Sequence, residues 1–393
     1  MESNKTKNDS ESLKWLEISD KLSRGRFASR AKTIDEEARF PKENYEDLKE
    51  TGLLSLSVPK KYGGIGADAL TYVKVLSNIA RGCASTGLTL NMHSAVVDFM
   101  KQLASPEQQE EYFTKVVEDG AIFASITSEP GSSFRDKLSV RTSIRKFEES
   151  KFKIQGKKHF CSLSTGADFY FTWSFLDGSE NLKDGLYNVM IPSSREGIEI
   201  LDDWNTIGMR GTASNSIMFN DVEVSQEEVI GDPGSILGKD MSMWSLGYTA
   251  VYIGIAEAAY EFTLDYAKNK KSGLGVPLPE LERTQRQIGE MSMILENARR
   301  AAEKLGMLRG NMDKMELTFM LNQAKYLATE AARELAERGI RFCGGLGLQR
   351  DLPLERHLRD SIAGIVMPPS NDRCLETVGQ IALGLDAKTL DFQ

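Results

Sequence analysis

The stretch Gly339-Ile340-Arg341-Phe342-Cys343-Gly344-Gly345-Leu346-Gly347, followed by Asp351-Leu352-Pro353-Leu354-Glu355-Arg356, Arg359-Asp360 and Met367-Pro368-Pro369-Ser370-Asn371-Asp372, decides how this chain is read. A run at helical spacing leads into it through Leu317, Met320, Ala324, Leu327, Ala331 and Leu335. The run breaks on Gly344, Gly345 and Gly347, where a backbone without Cβ atoms can approach a flat ring or a phosphate, or simply turn between helices. Ser370 is a helix-capping residue type and predicts a last helix through Leu375, Val378 and Ile381.

Upstream of this stretch the helical period holds almost without interruption from about Gly238. Leu246, Ala250, Ile253, Tyr260, Leu264 and Ala267 share one face, and Gly273, Gly275, Pro277 and Pro279 stop that helix. Ile288, Met291, Leu295, Ala298, Ala302 and Leu305 repeat the spacing. Four amphipathic helices in series predict a C-terminal four-helix bundle over residues 236–393. Residues 121–235 differ in character. Val140, Thr142 and Ile144 alternate with polar neighbours, as do Phe152 and Ile154, and then Phe169, Phe171 and Trp173. Asp177-Gly178 and Asp184-Gly185 punctuate these runs, and Ile217 to Val224 closes them, which predicts a middle β-barrel or sandwich domain. Residues 11–120 are helical again. Pro41 and Asp68 stand at helix starts, and a small-residue-rich helix from about Thr86 to Met100 carries His93. The fold class is therefore multi-domain α+β: an N-terminal helical domain, a middle β domain and a four-helix bundle.

Composition narrows the partners. With 57 acidic and 49 basic residues the net charge is -8, and no basic stripe predicts nucleic acid. Four dispersed cysteines without a CxxC pair, and three histidines away from metal-ligand spacing, predict a reduced protein without structural zinc. No apolar run of membrane-spanning length and no signal-peptide core are evident, so a cytoplasmic protein without a membrane partner is expected.

Three more stretches carry polar chemistry. Ile126-Thr127-Ser128-Glu129-Pro130-Gly131-Ser132-Ser133 reads as a strand entering a hydroxyl-rich turn, able to bind the polar edge of a ring or only to cap itself. In Gly156-Lys157-Lys158-His159-Phe160-Cys161-Ser162, strand alternation would put Phe160 and Ser162 on one face, a ring beside a hydroxyl. In Gly208-Met209-Arg210-Gly211-Thr212-Ala213-Ser214, an arginine between glycines suits a carbonyl or phosphate contact, or a loop charge.

In this order and spacing, from about Ala31 to Leu385, these motifs resemble the acyl-CoA dehydrogenase family of flavoproteins. The resemblance implies FAD between the β domain and the bundle, completed by a neighbouring subunit in a homotetramer or homodimer. By position it implies Thr127 and Ser128 at the flavin edge, Phe160 beside the ring system and Ser162 near the reactive nitrogen. Gly344 and Gly345 would meet a neighbour's pyrophosphate, with Lys270 and Arg341 standing where the family usually has Arg and Gln. Ser370 and Asp372 would lie near the adenosine half, and Arg210 and Trp244 toward substrate.

Family members that oxidise acyl-CoA need a carboxylate base. The usual glutamate, eight residues after the Arg-Asp pair, corresponds to Pro368, and the alternative position in the first bundle helix corresponds to Trp244. Three readings follow from the resemblance. The first is FAD-dependent oxidation of an acyl thioester, the substrate being acyl-CoA, with Asp372 or Glu376 as a displaced acid and an electron-transfer flavoprotein as acceptor. The second is a flavin-dependent monooxygenase or N-hydroxylase, fed by a flavin reductase, in which His93 is a candidate proton donor. The third is a non-catalytic flavin-binding protein.

Overall fold

The computed structural model describes residues 2–131, 140–385 and 387, with side chains from residue 11 onward. Among them the chain opens with helices α1 (Glu2–Leu22), α2 (Ala28–Glu37), α3 (Lys42–Thr51), α4 (Ala69–Gly82), α5 (Ala84–Leu103) and α6 (Pro106–Thr114). Asp68 caps α4, its carboxylate accepting the Thr71 N–H at 2.7 Å. From Ala84 to Met100 every residue of α5 is buried, so this helix runs inside the molecule, as its small side chains permit.

Strands follow: β1 (Phe123–Ser125), β2 (Ser143–Glu148), β3 (Lys151–Lys158), β4 (Phe169–Leu176), then a short helix α7 (Leu182–Gly185), β5 (Leu186–Pro192), β6 (Ile198–Ile200) and β7 (Ile217–Ser225). They form one sheet in the order β1-β4-β2-β3-β7-β6, with β5 on the other edge of β4. Both β1 and β2 run parallel to β4, one beside Phe169 to Phe171 and the other beside Phe175 and Leu176. Strand β3 slips register at Gly156, where φ is 150° and a Cβ would lie 2.7 Å from the Thr142 Cα. Asp184-Gly185, expected as a turn, sits in α7, because the Asn181 side chain accepts the Asp184 N–H at 3.0 Å and starts a helical turn.

The C-terminal part consists of α8 (Ser242–Asn269), α9 (Glu282–Leu308), α10 (Lys314–Cys343), α11 (Leu354–Val366) and α12 (Asn371–Ala382). The four anticipated helices are present. Helix α11 is an addition, its buried face made of Leu354, His357, Asp360, Ser361 and Gly364, in which polar types hide the period. Helix α8 is central, packing on α9, α10 and α11 and also on α4 and α5. Close approach requires Gly254, where a Cβ would stand 2.4 Å from the Ser77 carbonyl oxygen on α4. The three-domain architecture thus shares one continuous apolar core. Among the described residues no helix is long and apolar enough to cross a membrane.

Candidate functional site

Phe160 and Ser162, expected on one face of a strand, lie beyond the end of β3. Pairing of β3 with β7 ends at Lys158 opposite Ile217, and the backbone then folds into successive turns. Phe160 takes the left-handed conformation (φ 53°), and the Ser162 N–H donates back to its carbonyl at 3.0 Å. Beneath the turn, the fully buried Lys158 ammonium donates to Glu129 and, at 2.7 Å, to the Trp173 carbonyl. Burial pushes the Glu129 carboxyl up, yet the Lys158 charge and the N–H groups of residues 141 and 142 hold it below the usual range. This ion pair ties the Thr127-Ser128-Glu129 segment to the end of β3, and the His159 N–H donates to the Ser128 carbonyl at 3.0 Å.

The result is an open aromatic face beside hydroxyls. Phe160 is 57% exposed, with the His159 ring at 3.7 Å and the Trp204 ring edge-on at 6.2 Å between centroids. Ser162 Oγ lies 2.9 Å from Ser214 Oγ, which lies 2.7 Å from Thr212 Oγ1, and Thr212 donates to the Met209 carbonyl at 2.9 Å. The Thr127 and Ser128 hydroxyls have no partner among the described residues, and Ser132 and Ser133 lie outside those residues.

Arg210 is committed to structure. Its Nε donates to the Asp35 carbonyl at 2.8 Å and one terminal nitrogen to the Thr206 carbonyl at 3.2 Å, while its own carbonyl accepts the Trp204 indole N–H at 3.0 Å. The same loop is latched to α11. Asp360 accepts the Met209 N–H at 2.6 Å, and Arg359 reaches Asp35 at 2.6 and 3.0 Å and the Ile207 carbonyl at 2.9 Å. Burial pushes the Asp360 carboxyl up to about 6, against the pull of the Met209 N–H.

On α8, Trp244, Tyr248 and Tyr252 recur at every fourth residue and share a face. The Trp244 and Tyr248 rings are 5.6 Å apart, Tyr248 turns its hydroxyl toward the Met92 sulfur at 4.0 Å, and Tyr252 donates to the Met367 sulfur at 3.3 Å. Asn91 of α5 donates to the Trp244 carbonyl at 3.2 Å and accepts from Tyr72 at 2.8 Å. Through Met367 this aromatic row meets the segment that carries Pro368.

Behind that segment stands Lys325, a buried residue that reading the sequence passed over. Its Nζ donates to the Gly364 carbonyl at 2.7 Å and to Asn371 Oδ1 at 2.9 Å, and burial pulls its ammonium down to about 8. Asn371 in turn donates to Glu330 at 2.9 Å. A lysine one residue from Ala324, on the buried stripe of α10, was the available signal. Ser370 caps α12, accepting the Arg373 N–H at 3.3 Å. Asp372 is exposed in the first turn, and Glu376 is exposed and bonded to Arg373 at 3.1 Å.

His93 lies apart from these groups. Its Nδ1 accepts the Phe123 N–H at 3.0 Å, which requires the proton on Nε2, and that proton is donated to the Leu54 carbonyl at 3.1 Å. Both nitrogens are engaged with backbone, and burial pushes the ring down to about 4.

At the far end of the bundle, Lys270 lies 5.5 Å from the Tyr266 ring, which meets Phe342 edge-on at 6.4 Å, so Lys270 and the Arg341-to-Gly345 segment share one end. Gly344 has φ 63°, and a Cβ at Gly344 or Gly345 would meet nothing within 4 Å. Arg341 is 76% exposed, 3.9 Å from Glu337. Among the described residues, no cluster of three histidine, cysteine or acidic side chains is placed to hold a metal.

Comparison with known proteins agrees along most of the chain. Family models described as the N-terminal, middle and C-terminal domains of acyl-CoA dehydrogenase match residues 14–119, 124–222 and 240–366. Short-chain specific acyl-CoA dehydrogenase, mitochondrial, of Sus scrofa is 28% identical over 335 residues, 84% of this chain and 80% of that protein. Dibenzothiophene monooxygenase of Rhodococcus qingshengii is 30% identical over 338 residues, 80% of each chain. The crystal structure of FMN-bound TdsC from Paenibacillus sp. A11-2 superposes with a TM-score of 0.88 at 24% identity, covering 96% of this chain and 99% of that one. The chain belongs to the acyl-CoA dehydrogenase family, whose members among these relatives are flavin-dependent oxidoreductases and monooxygenases.

Proposed function

We propose that this chain is a flavin-dependent monooxygenase acting on an apolar, aromatic substrate. The observation that carries the reading is the side-chain chemistry around the two base positions: tryptophan and proline stand there, and their neighbours are Tyr248, Tyr252, Met92 and Met367. Such surroundings exclude water and suit an apolar substrate beside Trp244, but accept no proton from a carbon acid.

The residues present fit a flavin. Phe160 exposes a ring face, Ser162 stands two residues on, and Thr127 and Ser128 on the adjoining segment carry hydroxyls without a partner among the described residues. When bound, the flavin supplies electron-pair transfer to or from substrate and, in its reduced form, activation of oxygen. Phe160 would stack on it, Ser162 would meet its central edge, and the Thr127-Ser128 segment would bond its pyrimidine side. In favour of FAD over FMN are the open Gly344-Gly345 backbone with Arg341 and Lys270, suited to a pyrophosphate held by a second copy of the chain. A separate reductase would deliver reduced flavin.

A second reading, oxidation of an acyl-CoA with an electron-transfer flavoprotein as acceptor, is favoured by the 28% identity to short-chain acyl-CoA dehydrogenase. It requires Asp372 or Glu376 to act as base from the first turns of α12. One pair of experiments separates the two. Purified protein given reduced FMN or FAD, oxygen and a panel of aromatic sulfides and indoles should yield products carrying one added oxygen atom by mass spectrometry. Anaerobic mixing of the oxidised holoprotein with acyl-CoAs should leave the flavin absorbance unchanged; bleaching there, without oxygenation in the first assay, would sink the monooxygenase reading.

A further inference from the structure

Lys325 on α10 is fully buried, which is rare for lysine. Among the described residues no carboxylate lies within ion-pair distance of its Nζ, so desolvation of the amine is offset by hydrogen bonds to neutral oxygens alone. The sequence itself frees one of those oxygens. The Gly364 carbonyl, in the last turn of α11, would ordinarily accept the N–H four residues on, but that residue is Pro368, which has none. Lys325 donates there instead, at 2.7 Å. Its second acceptor is Asn371 Oδ1 at 2.9 Å, on the first residue of α12. The orientation of that amide is set from its other side, where Nδ2 donates to the Glu330 carboxylate at 2.9 Å and Arg333 holds Glu330 at 3.0 Å. A flipped amide would set its oxygen against a carboxylate. Ammonium and free amine alike carry hydrogens for both acceptors of Lys325.

One nitrogen thus joins the end of α11 to the start of α12 across Met367-Pro368-Pro369-Ser370. Two of those four residues have no N–H with which to anchor themselves. The same segment touches α8, where Tyr252 donates to the Met367 sulfur at 3.3 Å, and a Cβ at Gly364 would stand 2.6 Å from the Tyr252 ring. We infer that Lys325 is a positioning residue, which fixes this segment against Tyr252 and so sets the shape of the substrate space along the Trp244-Tyr248-Tyr252 row. The inference rests on the reading above that an apolar substrate lies beside Trp244, and adds the residue that holds the neighbouring segment in place. Lys325 acts through Gly364 and Asn371, not by contact with substrate.

Steady-state oxygenation with reduced FMN, and hydrogen–deuterium exchange of the FMN-loaded protein, test this. Lys325→Met keeps the length of the side chain and removes both bonds. It should raise KM for an aromatic sulfide or indole about tenfold, with kcat and the FMN dissociation constant each within about twofold of the wild type. Amide exchange over residues 365–371 should quicken about tenfold, with that of α8 unchanged. Asn371→Ala cuts only the α12 end of the bridge; it should give the same split at about threefold, and it decides the matter should Lys325→Met not fold. In Lys325→Met combined with Asn371→Leu, no buried partner is left unpaired at that end, so stability in urea should recover toward the wild type while KM stays high. A KM that returns together with stability would mark a merely structural role and overturn the inference. Unchanged exchange over 365–371 in Lys325→Met would do the same. Either result leaves the flavin reading intact, whereas a wild-type protein that oxygenates nothing in the panel overturns the functional reading and the inference together.

Discussion

At the scale of single residues, conformation and partners decide what a side chain can offer: the left-handed turn at Phe160 leaves its ring exposed, and two backbone partners occupy both nitrogens of His93. Phe160 and Ser162 were read as sharing one face of a strand, a period-two reading that the positive φ at Phe160 contradicts; a two-residue spacing cannot tell a strand from a tight turn. Lys325 and Asn371 were missed because their value comes from being buried together by helices α10 and α12, which no local pattern reports. His93 shows the reverse, a residue type associated with proton transfer whose two nitrogens are spent on backbone. Its ring titrates near 6.5 when unfolded and at about 4 in the fold, so the unfolded chain binds the extra proton between those values. Stability contributed by neutral His93 is thus lost as pH falls from 6.5 toward 4, by about 2–3 kcal/mol at pH 4.5. His357, pushed down to about 3 by burial, adds in the same direction, whereas Asp360, raised to about 6, opposes it. Urea unfolding at two pH values should show His93→Gln losing less stability on acidification than the wild type, by about 2 kcal/mol. Equal losses would refute the assignment.

At the scale of elements, the clearest device is the junction between the 206–210 loop and α11. The Gly-Met-Arg-Gly motif was visible in the sequence as a contact loop, with Arg210 expected to face substrate or phosphate. Its first glycine instead lets the chain lie against a neighbouring helix: a Cβ at Gly208 would stand 2.1 Å from the Arg359 carbonyl oxygen. Gly208→Ala should therefore part the loop from α11, breaking the bonds from Met209 to Asp360 and from Arg359 to Ile207. We expect a loss of about 1–3 kcal/mol in urea unfolding, together with weaker flavin binding, because the Arg210 carbonyl on that loop holds Trp204 against Phe160. Gly273→Ala, where an added Cβ meets nothing within 4 Å, is the control and should match the wild type. A Gly208→Ala protein as stable as the control would show that the loop yields without cost.

For the molecule as a whole, the order helical, β, helical was readable from periodicity, because each domain keeps one period over a long run. The assembly was not readable, since which exposed groups meet a second copy depends on surfaces folded from distant segments. Lys270 and Arg341, 71 positions apart, reach one end of the bundle through Tyr266 and Phe342. If that end holds a pyrophosphate, reversing both charges (Lys270→Glu with Arg341→Glu) should weaken FAD binding about tenfold and leave FMN binding nearly unchanged, as followed by flavin fluorescence. Unaltered FAD affinity would remove this end from the cofactor site.

Helix α8 has a further implication for how such a chain can change over generations. It is the last domain's first helix, yet α4 and α5 of the first domain close over it, with Gly254 against Ser77 and Asn91 against Trp244. The two helical domains, separated in sequence by the whole sheet, are one cooperative body in space. Neither can be exchanged for a foreign counterpart without recutting the other's surface, and the sheet is tied to the same body, with His93 of α5 accepting the Phe123 N–H and Asp360 of α11 accepting the Met209 N–H. Any change of side chains along α8 therefore has to be accepted by helices from both ends of the chain at once.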